Sequence, residues 1–144
     1  MQRKRILVID DDIRATRMLK LGLEGTGQYE VRELNHSARA LSVAREFRPD
    51  AVLLDVCMPE VEGSAVAFAL QNESGLGSLP IIFLTCIVSE REVAERGSLI
   101  GGHRYIAKPT RLERVIDCLE QEFEIHQTQK LRTPRSSSVF VHWP

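Results

Sequence analysis

The chain has 144 residues, one ordinary domain's length and enough to bury a core. Its 43% hydrophobic and 27% charged residues exclude a disordered chain, and a net charge of −1 offers no footprint for nucleic acid or anionic membrane. No apolar run approaches the ~20 residues of a membrane helix, and the basic start Met1-Gln2-Arg3-Lys4-Arg5 precedes too short an apolar stretch for a signal peptide, so a cytoplasmic protein is expected.

The first apolar run, Ile6-Leu7-Val8-Ile9, is continuous rather than alternating, as expected for a strand buried on both faces of a parallel sheet. Asp10-Asp11-Asp12 follows it, with Asp12 placed to cap a first helix. Tyr29 to Leu34 alternates more and reads as an edge strand. Ser37 can cap a second helix carrying Ala40, Leu41, Ala44 and Phe47 on one side, ended by Arg48-Pro49. Ala51-Val52-Leu53-Leu54 repeats the buried-strand pattern and ends in Asp55; Ile81-Ile82-Phe83-Leu84 repeats it again and ends in Thr85. Ser89-Glu90-Arg91-Glu92 matches a capping box, in which side chains satisfy the free N–H groups of a helix start. His103 to Ala107 is a weaker fifth strand, followed by Lys108-Pro109. A second capping box, Thr110-Arg111-Leu112-Glu113, opens a helix with Leu112, Val115, Ile116, Leu119 and Phe123 on one stripe. Five β-α repeats predict an α/β three-layer sandwich: a five-stranded parallel sheet with five helices and right-handed crossovers. Beyond Glu124 the character changes. Residues 127–144 contain no acidic residue, carry Lys130, Arg132 and Arg135, and pass through Pro134 and three serines. The expected organisation is therefore one domain over 1–126 and a tail or linker over 127–144.

The residues suited to chemistry gather at the carboxyl ends of the strands, where open α/β sheets bind ligands. Asp10 and Asp11, Asp55, Thr85 and Lys108 come together if the strand order is 2-1-3-4-5. Carboxylates facing a lysine and a hydroxyl suit Mg²⁺ and phosphate, with hard oxygen ligands for the metal and Lys and Thr for phosphoryl oxygens. An unpaired carboxylate on a buried strand is costly, which favours a functional reading of Asp55. Elsewhere the signals are weak. Gly22, Gly25 and Gly27 do not form a dinucleotide fingerprint. Cys57, Cys86 and Cys118 lie far apart, which argues against a zinc site or a disulfide framework, and the histidines lack ligand spacing.

Four segments and Gly63, in order and register, carry a resemblance: Ile6 through Asp12, Pro49-Asp50-Ala51-Val52-Leu53-Leu54-Asp55-Val56-Cys57-Met58-Pro59 with Gly63, Pro80 through Thr85, and Tyr105-Ile106-Ala107-Lys108-Pro109. Over residues 5–124 the chain resembles the receiver domains of two-component response regulators. The resemblance implies a flavodoxin-like fold and a signalling switch rather than an enzyme, one that catalyses only its own phosphorylation and dephosphorylation. Asp55 is implied as phosphoacceptor, Asp11 as a direct Mg²⁺ ligand, Asp10 as its acidic partner, and the backbone carbonyl of Cys57 as the remaining ligand. Lys108 is implied to contact the phosphoryl group, Thr85 to close on it, Tyr105 to change rotamer with the switch, and Lys108-Pro109 to be cis. The implied partner is a histidine kinase or histidine phosphotransfer protein, with an unnamed effector, a homodimer linked to phosphorylation, and no direct nucleic-acid or membrane binding. Cys86 and Ile87 depart from the family's common pattern after the strand-end threonine, as does Gly101-Gly102-His103-Arg104, where an acidic loop is frequent. The absence of a further periodic segment after Glu124 favours a stand-alone receiver. Two other readings compete: a degenerate receiver serving as a scaffold, which the intact Asp11, Asp55, Thr85 and Lys108 oppose, and a haloacid-dehalogenase-like phosphatase, which needs an acid where Cys57 stands.

Overall fold

A computed structural model describes residues 2–56, 63–85, 99–100, 103–108 and 110–132. Its elements run β1 (Lys4–Ile9), α1 (Ile13–Gly25), β2 (Tyr29–Leu34), a 3-10 turn (Ser37–Arg39), α2 (Ala40–Phe47), β3 (Ala51–Asp55), α3 (Gly63–Gln71), β4 (Ile81–Thr85), β5 (Leu99–Ile100), β6 (His103–Ala107) and α4 (Leu112–Arg132). The sheet order is β2-β1-β3-β4-β6-β5. Five strands are parallel in the expected order 2-1-3-4-5, β6 being the fifth. Four helices stand among the described residues. The helix expected from Ser89-Glu90-Arg91-Glu92 lies outside them, as do Cys57, Cys86, Ile87, Pro109 and residues 133–144.

The continuous apolar strands have the cause the sequence suggested: both faces are covered. Successive side chains point to opposite faces, so Leu7, Ile9, Val52, Leu54, Ile81 and Phe83 pack against α2 and α3. Their neighbours Ile6, Val8, Ala51, Leu53, Ile82, Leu84 and Ile106 pack against α1 and α4. The result is the three-layer sandwich. β2 lies at one edge, and its mixed burial matches its alternating sequence.

Local signals fared unevenly. Asp12 caps α1 as expected, accepting from the Arg14 backbone N–H at 2.9 Å. Ser37 does not cap α2; it lies inside the 3-10 turn that precedes that helix, where the i→i+3 pattern tightens the chain before the α-helix starts. Arg48 closes α2 in the left-handed region (φ 55°), consistent with the proline that follows disfavouring a helical conformation. The Thr110 hydroxyl donates to the Arg111 carbonyl over a long 3.4 Å, a contact that is not a helix cap, since a capping side chain accepts from a helix N–H. α4 runs through Arg132, past the composition change at 127, because Gln127-Thr128-Gln129-Lys130-Leu131-Arg132 holds no glycine or proline to stop it. The two-residue strand β5 was not expected. It pairs antiparallel with the start of β6, Ile100 opposite His103.

Candidate functional site at the carboxyl edge of the sheet

The register of the central strands fixes which residues meet. Ile9 stands opposite Leu54 in the β1–β3 ladder, so the next residues, Asp10 and Asp55, leave the sheet side by side. On the other flank Asp55 faces Leu84, and Thr85 faces Ala107. Lys108 follows directly, and its backbone N–H donates to the Thr85 carbonyl at 2.7 Å. Four strand ends therefore deliver Asp10, Asp55, Thr85 and Lys108 to one rim, with Asp11 one residue further along.

Asp10, Asp55 and Thr85 are buried polar residues, at 1%, 3% and 1% exposure, whereas Asp11 is exposed. Burying carboxylates demands partners, and Lys108 supplies them: its ammonium lies 2.9 Å from Asp10 Oδ2 and 3.3 Å from Asp55 Oδ2. Asp10 Oδ1 also accepts the Asp12 backbone N–H at 2.9 Å. Burial by itself pushes Asp10 up, but the Lys108 hydrogen bond, the Asp12 N–H and the lysine charge outweigh it and hold the carboxyl below its ordinary value. Burial likewise favours loss of the Lys108 proton, and the hydrogen bond and charge of Asp10, with the charge of Asp55, overcome it and push the lysine up.

Oxygens of Asp10, Asp11 and Asp55 all lie within 4.8 Å of one another. Three carboxylates against one ammonium leave about two negative charges in a small volume, which a hard divalent cation would neutralise with the oxygen donors it prefers. The donor set fits Mg²⁺.

Of the other residues singled out from the sequence, Tyr105 sits on β6, half-buried and stacked on Phe83 with ring centroids 4.8 Å apart and planes at 27°. That places it on the α2/α3 side of the sheet. Cys57 and Pro109 lie outside the described residues. Sequence reasoning passed over the groups behind Asp10: Asn35, which follows β2, and Thr16, fully buried on α1. An asparagine one residue past a strand end, level with the acidic loop, was the available signal.

Comparison with known proteins bears on the family and the fold. The response regulator receiver domain family matches residues 6–120. The DNA-binding response regulator MtrA of Mycolicibacterium paratuberculosis is 38% identical over 107 residues, which is 74% of this chain and 45% of that protein. The chain thus spans about half the length of the MtrA relatives it matches. The polar-differentiation response regulator DivK of Brucella anthropi is 30% identical over 117 residues, 81% of this chain and 94% of that one. Among solved structures, the Vibrio cholerae chemotaxis protein CheY4 superposes with a TM-score of 0.71 at 28% identity, over 83% of this chain and 98% of that one.

Proposed function

Because this chain belongs to the response regulator receiver domain family, we propose that it is a phosphorylation-controlled switch that accepts a phosphoryl group on Asp55 and relays the change to a partner protein. The observation that carries this reading is the meeting of buried Asp55 with Asp10, Asp11 and the Lys108 ammonium at one rim. The donor is a histidine kinase or histidine phosphotransfer protein, so an Asp55 carboxylate oxygen forms the new P–O bond as the donor's P–N bond breaks. The electron pair of that bond stays on the imidazole nitrogen, and the product is an acyl phosphate.

Asp10, Asp11 and Asp55, with the Cys57 backbone carbonyl, would hold Mg²⁺, which when bound supplies positive charge for the carboxylates and phosphoryl oxygens. Lys108 holds a phosphoryl oxygen with the ammonium that now bridges Asp10 and Asp55. Phosphorylation adds charge and three acceptor oxygens, and the Thr85 hydroxyl at the end of β4 closes on them. Tyr105, one strand over, repacks with that movement, which makes the pair a two-state element. The switch has no substrate beyond its own phosphoryl group, works in the cytoplasm, and binds neither nucleic acid nor membrane itself; no helix among the described residues is long and apolar enough to cross one. A homodimer linked to phosphorylation is one form the output could take.

Docking of the donor on α1 is supported by exposed apolar side chains. α1 presents Ile13, Met18 and Leu21 to solvent at 64%, 74% and 65% exposure, starting three residues from Asp10. Exposed apolar side chains grouped beside a charged rim mark a protein interface. The test is chemical. Acetyl phosphate with Mg²⁺ should add one phosphoryl group to the chain at Asp55, read by intact mass and peptide mapping, and the Asp55→Asn chain should stay unlabelled. Equal labelling of both would refute the reading.

A further inference from the structure

We infer that Asn35 is a positioning residue for the acidic pair Asp10–Asp11, holding the peptide between them so that Asp11 is presented to a divalent cation. The inference rests on the reading of the carboxylate cluster as the Mg²⁺ site.

The Asn35 side-chain amide donates to the backbone carbonyl of Asp10 at 2.8 Å and to the Thr16 hydroxyl at 3.0 Å. Only the NH₂ end of an asparagine can face a carbonyl, so the contact with Asp10 dictates which way the amide points. Both amide protons are then in use. Thr16 is fully buried, and its hydroxyl oxygen lies 3.0 Å from both the Ile13 carbonyl and Glu33 Oε2. A hydroxyl has one proton to give. It accepts from Asn35 and donates to one of those two oxygens, which leaves it no freedom to release the amide. Glu33 is itself held: its carboxylate side chain is only 15% exposed and takes the Arg17 guanidinium at 3.2 Å. The chain Arg17–Glu33–Thr16–Asn35 thus runs from the surface of α1 through β2 to the back of the acidic loop.

What it anchors is the informative part. Among the described residues Asp10 is fixed at four points: its N–H donates to the Leu34 carbonyl at 3.1 Å, its carbonyl accepts from Asn35, Oδ1 accepts from Asp12, and Oδ2 accepts from Lys108. Three of the four hold Asp10 itself. The Asn35 bond alone acts on the carbonyl, which belongs to the peptide plane leading into Asp11. Asp11 is exposed, so packing does little to aim it, and the orientation of that peptide decides where its carboxylate lies relative to Asp10 and Asp55. Outer groups that orient metal ligands commonly change affinity by about 10–100-fold when removed.

The experiment titrates Mg²⁺ into the full chain by calorimetry, with thermal unfolding measured on the same samples. Asn35→Ala should weaken Mg²⁺ about tenfold, and Thr16→Val, which leaves Asn35 one partner short, should weaken it about threefold. Labelling by acetyl phosphate should slow at low Mg²⁺ and return to the unsubstituted rate at saturating Mg²⁺, because Asn35 touches neither Asp55 nor the phosphoryl group. A purely structural asparagine would lower the unfolding temperature and leave the affinity of the folded chain unchanged; that result overturns the inference. Should Asn35→Ala fail to fold, an unchanged Mg²⁺ affinity in Thr16→Val overturns it in the same way. Asp11→Asn is the control. If Asp11→Asn loses Mg²⁺ and Asn35→Ala does not, the positioning role is wrong and the site stands; if Asp11→Asn binds normally, the site itself is wrong.

Discussion

The Lys108 ammonium lies closer to Asp10 than to Asp55, 2.9 Å against 3.3 Å, although Asp55 is the residue read as phosphoacceptor. The lysine therefore chiefly answers the most deeply buried carboxylate, and a partner carboxylate must share it. Lys108→Met should leave two buried carboxylates without their cation. We expect a loss of about 2 kcal/mol at pH 7 without Mg²⁺, less than for a fully enclosed pair because the lysine side chain is 25% exposed. Urea denaturation would measure it. Adding Mg²⁺ should recover part of the loss, since the ion replaces the missing charge. A chain equally stable with and without the lysine would show that the carboxylates are already neutralised by other means.

Asp11 and Asp12 should separate cleanly. Asp11 belongs to the carboxylate cluster, whereas the Asp12 side chain is occupied with the Arg14 N–H as cap of α1. Asp11→Asn should abolish Mg²⁺ binding and, by removing one of three crowded like charges, stabilise the metal-free fold by about 0.5 kcal/mol. Asp12→Ala should do the reverse: near-normal Mg²⁺ affinity with about 1 kcal/mol of stability lost with the cap. Paired titrations and melts decide, and equal loss of affinity in both would contradict the assignment.

The exposed apolar face of α1 gives a prediction about the partner. Replacing Met18 and Leu21 by serine, at 74% and 65% exposure, touches no core contact and should leave labelling by acetyl phosphate unchanged. Phosphotransfer from a histidine phosphodonor protein should fall by about tenfold, a loss of ~1.4 kcal/mol shared by the two apolar contacts. Unchanged transfer would move the docking surface elsewhere.

Most of this architecture was legible because burial on both faces writes itself as unbroken apolar runs. Ile6-Leu7-Val8-Ile9 and its two counterparts show it, and the polar residue ending each run, Asp10, Asp55 or Thr85, has nowhere to be but the sheet rim. What escaped the sequence depends on tertiary register. β5 has only two residues, too few for any period to show. Ser37 has a cap's side chain, but the turn into α2 sets it one 3-10 turn too early. Asn35 and Thr16 lie 19 residues apart in the chain, and only the parallel pairing of β1 with β2 brings them together behind Asp10.

Glu24 provides a pH test away from the site. Its Oε2 accepts the Val31 backbone N–H and the Lys20 ammonium, each at 3.0 Å, tying the end of α1 to the edge strand β2. The Val31 N–H, against an opposing effect of burial and with help from Lys20, holds this carboxyl below its ordinary value. A depressed folded-state value contributes stability that is fully present above the unfolded value of about 4.3 and is lost as pH falls through the folded one. Glu24→Gln keeps an acceptor but not the charge. It should cost about 0.5 kcal/mol at pH 7, and the difference should close as the pH falls through the depressed folded-state value. A gap that persists in acid would assign the effect to shape rather than charge.

Gly22 and Leu112 should be coupled, and in a direction that single substitutions hide. A Cβ built on Gly22, in the last turn of α1, would lie 2.9 Å and 3.0 Å from the two methyl carbons of Leu112 at the start of α4. Glycine inside a helix costs about 1 kcal/mol relative to alanine, so its presence here is explained by close approach rather than by backbone need. Gly22→Ala gains that propensity but forces the Leu112 methyls aside, and the two effects are of similar size. The single substitution should therefore change stability by less than about 0.5 kcal/mol. Leu112→Ala, at a partly buried position, should cost about 1–2 kcal/mol. In that background the obstruction is gone, and Gly22→Ala should now stabilise by close to its full ~1 kcal/mol. Urea denaturation of the four chains yields the coupling directly. Asp55 labelling should be the same in all four, because the contact lies on the α1/α4 side of the sheet and involves none of the rim residues Asp10, Asp11, Asp55, Thr85 and Lys108. Additive effects would mean that Leu112 already has room to move, and that the glycine is tolerated there rather than required by the packing of the two helices.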